Sequence, residues 1–223
     1  MNHMLFIRAI SRFSAGLLLV FALLFIPAGT WNYPQGWLLM GILFVPMFAA
    51  GLVMMKKNPE LLKKRLNVRE EEAQQRRVIL FSGIIFLAAF ISAGLSYRYQ
   101  WLMLPAPLNI AAAIVFLAAY ALYAEVLREN TYLSRTVEIQ ENQKVIDTGL
   151  YGVVRHPMYM ATVFLFLAMP LVLGSVISFM IVLLYIPIII KRIRNEEQVL
   201  AKGLPGYGEY MEKVRYRLIP FVW

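Results

Sequence analysis

Cysteine is absent from this 223-residue chain. No disulfide framework can staple it, no thiolate can hold a metal, and no cysteine nucleophile is available. Histidine is nearly as scarce, with only His3 and His156, too few for a histidine-based metal centre. Charged residues make up 16% of the chain and apolar ones 60%, whereas a water-soluble domain carries about a quarter and about half. The charge deficit is concentrated in five uncharged runs, Phe13–Thr30, Gly36–Met55, Val78–Tyr97, Leu102–Ala124 and Met158–Ile190. The solvent for much of this chain is therefore lipid.

A spanning helix needs ~20 apolar residues to cross a ~30 Å hydrocarbon core, so the first four runs each predict one pass. The first follows Arg8 and Arg12 as a signal peptide would. Ala28-Gly29-Thr30 is a poor cleavage site and more spans follow, so a retained helix is expected. The fifth run holds Pro170 and Gly174 near its middle. As one helix it would extend ~50 Å at 1.5 Å per residue. It is expected instead to break between Met169 and Ser175 into a helical hairpin whose legs are slightly short for a full pass.

Charge placement supports the hairpin. Basic residues cluster before the first run (Arg8, Arg12) and in the loop Lys56–Arg77 (Lys56, Lys57, Lys63, Lys64, Arg65, Arg69, Arg76, Arg77). They recur between Val126 and Pro157 (Arg128, Arg135, Lys144, Arg155) and in the tail (Lys191, Arg192, Arg194, Lys202, Lys213, Arg215, Arg217). With a hairpin, all but Arg98 of the 22 lysines and arginines share one side. The positive-inside rule makes that side cytoplasmic, with both termini there. Trp31, Tyr33 and Trp37, with Tyr97, Tyr99 and Trp101, suit an interfacial belt at the opposite face. The formal charge of +9 is thus topological, directed at anionic lipid headgroups rather than nucleic acid.

The expected architecture is all-α: a polytopic transmembrane bundle of about six membrane segments, the last two a helical hairpin. The Lys56–Arg77 loop, with Arg69-Glu70-Glu71-Glu72 at its centre, reads as a solvated helix along the headgroups. Gly203-Leu204-Pro205-Gly206-Tyr207-Gly208 lacks the order of a dinucleotide fingerprint and no strand precedes it. It reads as a turn before a short cytoplasmic C-terminal helix from about Glu209. Lys213, Arg215, Tyr216 and Arg217 would then lie over the headgroups, with Ile219–Trp223 against the membrane. No repeat or linker divides the chain, so residues 1–223 read as one integral membrane domain.

Polar residues able to do chemistry gather after Glu125, in two segments flanking the hairpin. One runs from Glu138 to Tyr159. The other begins at Lys191-Arg192-Ile193-Arg194-Asn195-Glu196-Glu197. A hairpin returns the chain to its starting side, so these segments must lie near each other. Val137–Ile146 partly alternates in polarity before Thr148-Gly149, suggesting an extended stretch ending in a turn. Pro157 suits the first turn of a helix, which leaves His156 beside orphan backbone N–H groups. On these residues alone, Arg155 and His156 read most plainly as interfacial anchors. Arg192 and Glu196 share a helical face, with Glu197 a quarter-turn away. The pair is either a salt-bridged helix end or an anion holder beside a cation holder.

Taken in order, Gly149-Leu150-Tyr151, Arg155-His156-Pro157-Met158-Tyr159, a broken apolar hairpin, Arg192-x-x-x-Glu196-Glu197 and Tyr207-Gly208-Glu209-Tyr210 with Leu218-Ile219-Pro220-Phe221 resemble the isoprenylcysteine carboxyl methyltransferase family. The resemblance covers roughly residues 128–223. It implies a membrane-embedded methyltransferase of non-Rossmann fold that uses S-adenosylmethionine. Residues 1–125 would then be generic transmembrane helices, and 126–223 the cofactor-binding and catalytic region.

Carried over position by position, cofactor contacts fall on Gln143, Lys144, Val145, Ile146, Tyr151, His156, Pro157, Met158, Tyr159 and Glu196. Arg192 would hold the substrate carboxylate, and Arg192 with Glu196 would form the catalytic pair. Many members have histidine where Gln143 stands. Glutamine keeps a donor and an acceptor but cannot titrate. The implied acceptor is a lipid-modified or isoprenoid acid, such as a prenylated cysteine, entering from the bilayer; no metal is implied.

Two other readings remain at this point. Methylation of a lipid amine would need a base to remove a proton, and the sequence assigns none. A non-enzymatic scaffold with a polybasic lipid-binding face explains the charge but not the motif series. Reporter fusions after Trp223 and within Asn58–Gln75 should both read cytoplasmic. A reporter after Trp223 on the opposite face would exclude the hairpin.

Overall fold

A computed structural model describes residues 3–66, 73–130, 132–133, 139 and 141–223. Among these, the chain is all helical, as its uncharged runs predict. The helices are α1 (His3–Ala28), α2 (Pro34–Lys57), α3 (Pro59–Leu66), α4 (Ala73–Tyr99), α5 (Ala106–Glu129), α6 (Pro157–Val172), α7 (Val176–Leu183), α8 (Tyr185–Gly203) and α9 (Tyr207–Lys213), with a 3-10 turn at Gly149–Gly152. Five spans of 24 to 28 residues are long and apolar enough to cross a membrane: α1, α2, α4, α5 and the consecutive α7–α8 pair. With the shorter apolar α6, they make the six expected segments of a multi-pass membrane protein.

Lipid offers helices no hydrophobic reason to associate, so small residues that allow close approach carry the packing. Ala89 and Ala93 on α4, Ala112, Ala113 and Ala119 on α5, and Ala161 and Ala168 on α6 are all buried. Large apolar side chains also cover the outer surface: Leu18, Ile26, Val45, Leu80, Ile84 and Ile114 are each about half exposed or more. On a water-soluble protein such a surface would be an aggregation liability; against acyl chains it is the ordinary solvent contact. Gly94 lets α4 approach α1 closely: a Cβ there would fall 2.5 Å from the Leu24 carbonyl oxygen.

The hairpin forms, and its break falls within the expected Met169–Ser175 stretch, at the C-terminal end of it. Pro170 lies inside α6, where the last turn tolerates it, and the reversal is confined to Leu173–Ser175. Gly174 makes it, at φ +76°, a conformation that costs glycine no Cβ clash. Ser175 then caps α7, its hydroxyl accepting from the Ser178 N–H at 3.1 Å. The tip reaches the connection between α4 and α5: Leu104 N–H donates to Gly174 O at 2.8 Å and Val176 N–H to Leu102 O at 3.2 Å. Asn109 Nδ2 donates to Leu171 O at 2.8 Å and Tyr33 Oη to Leu173 O at 3.2 Å. The short legs therefore do meet the connection on the far side. A second break, at Leu184, separates α7 from α8. It follows from Pro187, which has no N–H to give the carbonyl four residues earlier.

In the Lys56–Arg77 loop the expected surface helix is α3, buried through Leu61 and Leu62 and tied to α1 where the Arg12 guanidinium donates to Leu66 O. Arg69-Glu70-Glu71-Glu72 lies outside the described residues, as do Val137, Glu138 and Gln140. Gln143–Asp147 is irregular rather than stranded.

Gly94→Leu should drive α1 and α4 apart and cost about 2–3 kcal/mol, the scale of an overpacked core. Gly83→Leu, on the same helix with nothing within 4 Å of its Cβ position, should be close to neutral. Thermal unfolding in detergent would compare them, and equal melting temperatures would refute the close packing at Gly94.

Candidate functional site

The site grows from one buried carboxylate. Glu197 is 7% exposed on α8, and a buried charge is tolerable only when paired and hydrogen-bonded. Arg155 Nε donates to its Oε1 at 2.8 Å and Arg217 Nε to its Oε2 at 2.7 Å, and His156 Nε2 lies 3.4 Å from Oε1. Arg155 also donates through Nη1 to the carbonyls of Val214 (2.8 Å), Arg215 (3.2 Å) and Met211 (3.3 Å). Backbone pairing runs alongside, from Arg155 N–H to Tyr216 O and from His156 N–H to Arg217 O, both at 2.9 Å.

Arg155 and His156 are thus interior fasteners between α8, the start of α6 and the tail, not anchors at a lipid surface. Arg217 and Lys213, expected over the headgroups, engage Glu197 and, at 2.6 Å, Asp147. Lys213 holds the Asp147 carboxyl below its usual range. In the tail, Trp223 packs on the Tyr159–Ile193 cluster while Phe221 and Val222 stay exposed.

The residue before this pin lies about 100° around the helix, which takes Glu196 out of the buried cluster and into a cleft. The Tyr159 hydroxyl donates to Glu196 Oε2 at 2.5 Å and accepts from Arg192 Nε at 2.8 Å. One phenol therefore orients both members of the Arg192–Glu196 pair.

The motif Gly149-Leu150-Tyr151 has an equally local cause. The Glu129 carboxylate accepts from Leu150 N–H at 3.0 Å, and its Oε1 lies 1.7 Å from where a Cβ on residue 149 would sit. At φ +54°, only glycine fits there. The turn buries Tyr151, whose hydroxyl accepts from Asn130 Nδ2 at 3.0 Å and whose carbonyl accepts from the Tyr210 hydroxyl at 2.8 Å. Burial pushes the Tyr151 and Tyr210 phenols above their ordinary range, so both stay neutral.

The cleft encloses about 840 Å³, its open mouth included. Gln143, Lys144, Val145, Ile146, Tyr151, His156, Met158, Tyr159, Arg192 and Glu196 all line it. Pro157, grouped with them in the sequence, instead occupies the first position of α6 and is buried in the packing. Sequence reasoning gave no role to Asn130, Tyr132, Leu133, Leu200, Leu204, Tyr207 and Tyr210, which also line the cleft. Leu200 and Leu204 could have been found by extending the Arg192, Glu196 spacing by further steps of four. α9 begins at Tyr207, two residues before the expected start, because Gly206 takes φ +82° and turns the chain into it. No short-range signal identifies Asn130.

Glu197→Gln would leave Arg155 and Arg217 without a charged partner. Loss of one member of a buried pair costs ~3–5 kcal/mol, so a clear fall in melting temperature is expected, with loss of any ligand binding that depends on His156. A variant as stable as the parent would show that the pin is not structural.

Comparison with known proteins gives matches to two kinds of membrane enzyme. A Delta(14)-sterol reductase of Mus musculus is 31% identical over 91 residues, which is 40% of this chain and 22% of that protein. The chain thus spans about a fifth of the length of that relative. The second match covers residues 109–202, from α5 through the Arg192–Glu197 turn of α8. Through this stretch, which carries the hairpin and most of the cleft, the chain matches the isoprenylcysteine carboxyl methyltransferase family.

Proposed function

We propose that this chain is a membrane methyltransferase that moves a methyl group from S-adenosylmethionine to the carboxylate of a lipid-like acceptor, for example a prenylated cysteine. One observation carries the reading. The family's motif residues, drawn from segments up to about fifty positions apart, converge on one cleft where Tyr159 joins Arg192 to Glu196. The donor set suits a cationic, partly apolar cofactor: an acid group, flat rings at Tyr151 and Tyr159, and apolar walls at Val145, Leu200 and Leu204.

When bound, S-adenosylmethionine supplies an electrophilic methyl group on a sulfonium whose leaving thioether is neutral. Glu196 offsets positive charge on the ligand, and the Tyr159 hydroxyl fixes where that carboxylate points. Arg192, oriented through its Nε, holds the acceptor carboxylate. That group is already ionised at neutral pH, so attack releases no proton and the cleft needs alignment more than a general base. Gln143, which cannot titrate, is compatible with this chemistry. The acceptor would reach the cleft from the bilayer past the first turn of α6, where Met158 and Tyr159 lie. The basic residues would place this side in the cytoplasm, beside anionic headgroups.

A second reading, reduction of a sterol-like ring, has the mouse relative in its favour. It requires a hydride donor, for which a reduced nicotinamide dinucleotide is the usual choice. Glu196 in the cleft does not favour the pyrophosphate of such a cofactor.

Calorimetric titration of the purified protein in detergent should find S-adenosylmethionine binding and no binding of reduced nicotinamide dinucleotide. Glu196→Gln should weaken the former. Arg192→Lys keeps the charge but loses the planar fork that engages a carboxylate through two bonds. It should retain cofactor affinity and lose most of the methylation of a prenylated-cysteine analogue, roughly tenfold or more. Near-normal turnover in Arg192→Lys would end the proposed role of Arg192, and dinucleotide binding alone would favour the reductase.

A further inference from the structure

The cleft changes character along its length. Arg192, Glu196, Leu200 and Leu204 all line it and recur every fourth residue, so α8 presents its members as one stripe. From Arg192 to Leu200 the stripe runs ~12 Å at 1.5 Å per residue. Its end nearer the membrane segments is charged, with Arg192, Glu196 and the Tyr159 hydroxyl bonded together. Its other end is apolar and aromatic: Leu204, Tyr207, Tyr210 and Val214 form a buried cluster, with Val145 and Leu200 packed against it.

One polar atom interrupts the apolar end. Tyr207 is 4% exposed, and its buried hydroxyl has no hydrogen-bond partner among the described residues. Proteins rarely leave a buried hydroxyl unsatisfied. The neighbouring Tyr210 does not; its hydroxyl bonds Tyr151 O at 2.8 Å. Burial first, then the Glu197 and Glu196 carboxylates, push the Tyr207 phenol well above its ordinary range, which keeps the proton on it. Gly206, at φ +82°, makes Tyr207 the first residue of α9 and holds the ring at the cleft wall.

We propose that the Leu200–Tyr207 end of the cleft is the subsite for a planar nitrogen heterocycle, and that the Tyr207 hydroxyl donates a hydrogen bond to a ring nitrogen of it. The proposal rests on the reading that S-adenosylmethionine is the cofactor, since its adenine is such a ring. Leucine and tyrosine walls match its faces, and an in-plane acceptor satisfies the hydroxyl. A lipid tail would fill the same space and leave the hydroxyl without a partner, so the acceptor's chain belongs at the other end, beside the membrane segments. The methyl donor and acceptor then meet near Arg192 and Glu196, one or two helical turns away.

Tyr207→Phe removes only the oxygen, so the full-length variant in detergent is the test. Wild type and variant are titrated with S-adenosylhomocysteine and with its 1-deaza, 3-deaza and 7-deaza adenine analogues. The variant is expected to bind S-adenosylhomocysteine about three- to tenfold more weakly, with an unchanged melting temperature when ligand-free. For one of the three analogues, the one lacking the bonded nitrogen, variant and wild type should bind equally. Unchanged affinity for S-adenosylhomocysteine, or the same loss with every analogue, would overturn the subsite while leaving the cofactor reading intact. A wild-type protein that binds none of the four would overturn the cofactor reading and the subsite with it.

Discussion

Glu197 has two carboxylate oxygens and three basic side chains to satisfy, and most of the architecture at the base of the hairpin follows from that. Taking an ionised carboxylate out of water is costly unless hydrogen-bonding partners replace the solvent. The partners here come from two directions: Arg155 and His156 from the segment before α6, and Arg217 from the tail. Bringing them to one point on α8 draws together parts of the chain separated by 41, 42 and 20 residues. The adjacent Glu196 inherits a fixed position without being part of the pin. A pinned acid and a cleft-lining acid are thus neighbours in sequence and differ only by one step around a helix.

That pin works because the hairpin has already delivered α8 to the right side. Within lipid, unpaired backbone groups find no water, so a reversal has to be satisfied by protein. Here the far-side connection supplies backbone partners at Leu102 and Leu104, while Asn109 and Tyr33 supply side-chain donors. Inside the bundle, the Ser175 and Ser96 hydroxyls bond at 2.9 Å and Ser178 Oγ donates to Ala89 O at 2.8 Å. These bonds tie α7 to α4. Polar contacts therefore hold the apolar hairpin at its tip, and the ionic cluster holds it at its base.

The cleft lies between the apolar bundle and the polar tail. Its walls pass from α6 and α8, whose lower portions belong to the apolar bundle, to α9 and the irregular Gln143–Asp147 stretch, which belong to the basic, polar side.

The sequence by itself determined the helices and the hairpin. Uncharged runs of spanning length leave the backbone no other way to satisfy its hydrogen bonds, and one-sided charge required the fifth run to turn back. It also named most of the cleft, because motif residues carry their chemistry with them wherever they fold. Local signals had limits even here: Pro170 proved compatible with the last turn of α6, while a second break, at Leu184 ahead of Pro187, interrupts the apparently continuous second leg. The partners were decided only in three dimensions. Arg155 is a lipid-surface anchor or an interior fastener depending on whether Glu197, 42 residues on, arrives beside it. Tyr207 is a turn residue or a cleft wall depending on where α9 docks. Propensity and spacing act over a few residues, whereas pairing of a buried charge and burial of a hydroxyl depend on groups brought from elsewhere, and only tertiary structure brings them.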